Sequence, residues 1–152
     1  MCVRRVTAAY NALGQLELAL DSFTAALEVN PSFYVSWRGK VDTLMQLGRF
    51  ADAVTAITSA LALKPDDMAL VTKRGFAYLK LGQPEAAIGE YEAAIAAGDA
   101  SPETKRLLAA AFSQRALELD KADNVAEAER YVAPVCARTR VRMYALACAT
   151  YA

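Results

Sequence analysis

The chain has 152 residues, 17 Lys and Arg balanced by 17 Asp and Glu, no His, and 55% hydrophobic residues, which suits one compact domain or one short repeat array. The missing imidazole excludes Ser/His/Asp and Cys/His nucleophile pairs, HExxH zinc sites and any histidine metal ligand within the chain. A net charge of zero provides no long-range field to recruit a polyanion, so nucleic acid is not expected as the main partner.

The N-terminal segment carries Arg4 and Arg5, and its apolar character is soon interrupted by Asn11, Gly14, Gln15 and Glu17. It therefore reads neither as a signal peptide nor as a membrane span. Cys2, Cys136 and Cys148 are odd in number and have no CxxC spacing. Reduced, partly buried thiols in a cytoplasmic protein are expected, with no disulfide scaffold, metal or cofactor.

Gly14, Gly48 and Gly82 recur every 34 residues, and each follows a Leu (Leu13, Leu47, Leu81). Other columns keep the same step: Ala19, Ala53 and Ala87; Ala26, Ala60 and Ala94; Phe23, Ile57 and Tyr91; Tyr10, Leu44 and Tyr78. Three units of about 1–33, 34–67 and 68–101 result, and an Ala content of about a fifth favours helix throughout. Each unit reads as two amphipathic helices joined at the Leu-Gly pair. In the second, Trp37, Val41 and Leu44 share one face, and Ala53, Ile57, Ala60 and Leu61 share another after the turn. Gly suits that turn because it accepts positive φ, and Pro31 and Pro65 stop the second helix of their units.

After residue 101 the register weakens. Ser101, Pro102 and Glu103 form a strong helix start, and the helix is expected to run without a glycine break to about Asp120. A polar turn at Lys121 to Asn124 and a second helix carrying Val125, Ala128 and Val132 make 102–138 a degenerate fourth unit, with Pro134 kinking or ending that helix. Residues 139–152 are expected to form a terminal helix that covers the last hairpin or opens a further unit. The first unit begins without a polar capping element, so the chain is expected either to be a piece of a longer protein or to self-associate through its terminal helices.

These residues resemble the tetratricopeptide repeat family. Its pattern W-x2-L-G-x2-Y, A-x3-F, P is matched by Trp37, by Gly75 with Tyr78, by Ala19 with Phe23 and Ala87 with Tyr91, and by Pro31 and Pro65; Thr7, Val41 and Asp99 depart from it. The resemblance implies an all-α, right-handed α-solenoid, closed here by a C-terminal capping helix. It also implies a function in protein–protein interaction, as an adaptor or scaffold, and not an enzyme. A piece of a larger multidomain enzyme and a secretion or assembly chaperone for a hydrophobic client are the alternatives.

The first helix of each unit lines the concave face in this family. Carried onto this chain, the groove stripe holds Arg4, Ala8 and Asn11; Val35, Arg38, Asp42 and Met45; Ala69, Thr72, Phe76 and Leu79; and Glu103, Arg106, Ala110 and Ser113. Arg4, Arg38 and Arg106 share one column with Lys73 beside its missing member, and Phe76 lies one turn from Lys73. Arg4, Arg38, Asp42, Lys73, Phe76 and Arg106 are thus the expected peptide-binding residues, suited to a protein or peptide segment with acidic residues and an apolar anchor. The plainer alternative is a solvated face on which Arg38 pairs with Asp42 and a rotated helix takes Phe76 and Leu79 into the core. The family's clamp for chaperone C-terminal carboxylates would fall on Arg4, Ala8, Gly39, Ala69 and Lys73; both of its asparagines are absent, which speaks against a chaperone-tail ligand.

Overall fold

The computed structural model describes residues 15–99 and 101–121, together with 127 and 130–132. Within them six helices follow one another: α1 (Leu16–Val29), α2 (Tyr34–Gln46), α3 (Phe50–Leu63), α4 (Met68–Lys80), α5 (Pro84–Ala96) and α6 (Pro102–Lys121). No strand occurs among the described residues. Each helix packs on the next in sequence, and α4 also meets α6 across the intervening α5. That is the contact order of a solenoid, a right-handed one of helical hairpins. Arg4, the helix expected to open unit one and the 139–152 segment lie outside the described residues.

The small and bulky columns explain the packing. Ala19, Ala53, Ala87, Ala60 and Ala94 are all fully buried, because a methyl group is the largest side chain that lets two helices approach so closely. Ile57 and Tyr91 fill the gaps those alanines leave, and both are fully buried. One core cluster joins Val41 and Leu44 of α2 to Ala53, Ile57 and Ala60 of α3, with Leu20 and Leu70 from the flanking helices. A second joins Ile88 and Tyr91 of α5 to Leu108, Ala111 and Phe112 of α6.

The helix ends are set by local chemistry. Gly48 (φ 72°) and Gly82 (φ 70°) hold the left-handed conformation. In each turn the residue after the glycine donates its N–H five residues back, Arg49 to Leu44 and Gln83 to Tyr78, both at 2.9 Å, which satisfies carbonyls the helix end would otherwise leave open. The third unit ends in the same way. Gly98 (φ 101°) lets Asp99 N–H reach the Ala94 carbonyl at 2.9 Å, replacing the proline that closes the first two units. Ser101 caps α6 by accepting the Thr104 N–H at 3.2 Å. That helix runs 20 residues where the others run 13 or 14. The Tyr131 ring packs on Phe112 with centroids 6.0 Å apart, so the chain after α6 returns onto it.

Candidate peptide-binding groove

Three first helices, α2, α4 and α6, supply one face. A cavity of about 530 Å³ opens there, and Met45, Ala69, Thr72, Phe76 and Glu103 of the expected stripe line it. Lys73 lines it too, with Met68 and Leu107 as further apolar wall. The i, i+3, i+4, i+7 spacing of Ala69, Thr72, Lys73 and Phe76 is what places all four on one side of α4. Met at two positions makes the wall soft and adaptable to different apolar side chains.

Phe76 is half-buried. Its ring meets Phe50 edge to face with centroids 6.3 Å apart, and the Lys80 ammonium sits 5.2 Å from its centroid. The aromatic is therefore fixed from behind by α3 while it still lines the cavity. Leu79 instead packs against the second core cluster, so of the two residues a rotated helix would have buried, one is core and one is shared.

The charges differ from a plain basic stripe. Lys73 forms an ion pair with Asp42 across α2 and α4. Arg38 faces Asp67 at 4.0 Å and not Asp42, because Asp67, the N-cap of α4, stands over the first turn of α2. Asp67 also accepts the Tyr34 hydroxyl and the Leu70 N–H. Burial by itself would raise the Asp67 carboxyl, but those two hydrogen bonds and the Arg38 guanidinium outweigh it and hold the group below the usual carboxylate range. Burial and the Asp67 carboxylate push the Tyr34 phenol up to about 12. Asp99 lines the cavity and is held low by the Thr104 hydroxyl at 2.5 Å and the Ser101 N–H at 3.0 Å. Arg106 is exposed and has no ion pair among the described residues.

The expected basic groove is thus corrected to a mixed one, in which Arg38 and Lys73 already face carboxylates and Asp99 joins Glu103 on the α6 side. Sequence reading missed Asp67 and Tyr34. Asp67 carried a signal, an acid directly before a helix, but a separation of 33 positions hid its contact with Tyr34. Gly39 is no ligand position here: a Cβ on it would overlap the Phe23 ring. Among the described residues no group of three or more His, Cys, Asp or Glu is placed to hold a metal, and no helix is long and apolar enough to cross a membrane.

The tetratricopeptide repeat profile matches residues 9–67 and 38–103. The chain belongs to the tetratricopeptide repeat family. Among its relatives, mouse DnaJ homolog subfamily C member 3 is 29% identical over 94 residues, 62% of this chain and 19% of the relative. Protein FlbA of Caulobacter vibrioides is 35% identical over 77 residues, 51% of this chain and 13% of the relative. This tetratricopeptide chain thus spans a fifth or less of the length of those relatives. A solved structure of the first tetratricopeptide domain of Spaghetti (RPAP3), bound to the HSP90 peptide SRMEEVD, superposes with a TM-score of 0.69 at 22% identity, covering 76% of this chain and 91% of that one. At that identity the likeness is one of fold.

Proposed function

We propose that the chain is a protein–protein interaction module, an adaptor or scaffold without catalysis of its own, that holds a peptide segment in the groove formed by α2, α4 and α6. The observation that carries this reading is the cavity walled by Met45, Met68, Phe76 and Leu107 with Lys73 at its side. It offers a seat for an apolar side chain next to a cation on rigid helices, so the partner bears most of the ordering cost. The Spaghetti domain of like fold, bound to the acidic HSP90 peptide SRMEEVD, supports a peptide-binding use of this architecture.

An acidic segment would bring its carboxylates to Arg38 and Arg106, and would compete with Asp42 for Lys73. That competition makes charge a filter on the partner and the apolar anchor the main source of affinity. The reading keeps the protein in a reducing, cytoplasmic setting.

The test is capture of partners from a lysate by the wild-type chain, followed by affinity measurements with Phe76→Ala, Lys73→Glu and Arg38→Glu. Phe76→Ala is expected to weaken binding by about tenfold or more. The charge reversals are expected to slow association and reduce its salt dependence. Affinities unchanged in all three variants at low salt would move the binding face elsewhere.

A further inference from the structure

A second cavity, of about 460 Å³, lies on the other side of the solenoid between α1 and α3, with α2 as its floor. Trp37, Lys40 and Leu44 form that floor, Ala56 stands on the α3 wall, and Arg49 sits at the cap of that helix. The repeat provides its own comparison. In the third unit Arg74 of α4 and Glu90 of α5 pair at 2.8 Å with side chains only 22% and 17% exposed. Thirty-four residues earlier the same two positions are Lys40 and Ala56. The cation is retained and its carboxylate is replaced by a methyl group that is 3% exposed.

Lys40 has no ion pair among the described residues, and its ammonium rests 5.6 Å from the Trp37 ring centroid. The other charges around the cavity do not change this. Arg49 is held by Asp52 at 2.6 Å and faces Glu17 at 4.0 Å, which leaves Lys40 and the exposed Asp21 as the two charges on the lining without an ion pair among the described residues. A half-buried Lys over an aromatic face, with no carboxylate at ion-pair distance among the described residues, can take an anion.

We propose that this cavity is a second binding site, independent of the concave groove, that takes a single Glu or Asp side chain from a partner protein. Its carboxylate would meet Lys40 where the third unit supplies Glu90, and its stem would lie against Trp37 and Leu44. Asp21 on the same lining repels a run of acids, so the site selects an acidic residue with neutral or basic neighbours.

The chain has one Trp, which lines this cavity with its indole N–H on the Pro31 carbonyl at 2.8 Å, so indole fluorescence and the indole N–H resonance report on the surroundings of Trp37. The probe is the capped tripeptide Ala-Glu-Leu, with Ala-Gln-Leu as control, titrated into the intact chain at millimolar concentrations. A saturable change with the Glu peptide is expected, about tenfold weaker or absent with the Gln peptide, and lost in Lys40→Met. Ala56→Glu, in which the chain supplies the carboxylate itself, is expected to abolish the response. Should Ala56→Glu not fold, Lys40→Met still decides, since Met retains the apolar stem. An indifferent Trp37 signal, equal responses to both peptides, or an undiminished response in Lys40→Met would overturn the proposal.

Discussion

The second and third hairpins, α2 with α3 and α4 with α5, share a backbone and differ in what they do with it. Their columns agree, with Ala53 and Ala87 buried alike and Gly48 and Gly82 in the same turn. Between the columns they diverge. Arg74 and Glu90 satisfy each other in the third hairpin, while in the second Lys40 stands on an open cavity with Ala56 where the carboxylate would be. Gly75 faces Tyr91 within its own hairpin, whereas Gly39 faces Phe23 of the hairpin before it. The difference teaches that a few packing positions suffice to hold a repeat, so the positions between them are free to acquire chemistry that one copy has and its neighbour lacks.

The largest effects should come from the shared columns. Ile57→Ala and Tyr91→Ala are expected to cost about 2–5 kcal/mol in denaturant unfolding, since each opens a cavity in a fully buried site. Tyr91→Phe should separate the two hairpins further: the buried Tyr91 hydroxyl has no hydrogen-bond partner among the described residues, so its removal is expected to be neutral or stabilising. A large loss in Tyr91→Phe would show that the hydroxyl is bonded after all.

Next come the glycines. A Cβ at Gly75 would stand 2.8 Å from the Tyr91 ring, and one at Gly39 would come closer still to the Phe23 ring. The nearer clash is expected to be the cheaper one. Phe23 is only partly buried and can swing aside, while Tyr91 is locked in the core. Gly75→Ala should therefore cost about 1–3 kcal/mol and Gly39→Ala less, and melting curves with the opposite order would reverse this reading of the two contacts.

Smaller again is the Arg74 and Glu90 pair. Glu90→Ala strands a largely buried guanidinium at a cost of about 1–2 kcal/mol, discounted from a fully buried pair because both side chains retain some solvent. The variant should make the third hairpin resemble the second, with a free cation where the pair stood. Equal stability of Glu90→Ala and wild type would mean that the pair is a surface ornament.

The smallest effect is the pH dependence contributed by the Tyr34–Asp67–Arg38 network, which links α2 to the start of α4. Asp67 is held below its ordinary range in the folded state, so its contribution is full above the unfolded carboxylate value of about 4 and is lost as the pH falls through the folded value. Tyr34, raised to about 12, contributes below its ordinary value of about 10 and loses that contribution as the pH climbs toward 12. Stability of Asp67→Asn measured between pH 2 and pH 7, a range of about five units around the ordinary carboxylate value, should fall less steeply than wild type at the acid end. Parallel curves would remove Asp67 from the acid response.

By itself the sequence determined the helical hairpins, their turns and their buried columns. Those depend on local periodicity, on scarce glycines in register and on small residues that recur every 34 positions, and all of these can be read along one strand of letters. The helix start at Ser101 and Pro102 and the length of α6 belong to the same class, because caps and breaks act within a few residues. About half of the groove lining was legible too, because the family resemblance placed the stripe and helical spacing then carries it through Ala69, Thr72 and Phe76. Only the tertiary structure decided which charge meets which. Asp42 had Arg38 one helical turn away and yet pairs with Lys73, 31 residues on, and Asp67 took Arg38 because its N-cap position brings it over α2. Ion pairs form between side chains that the stacking of hairpins makes neighbours, and that proximity leaves no trace in local pattern. The same holds for Lys40, whose missing partner becomes visible only when the third hairpin is laid beside the second.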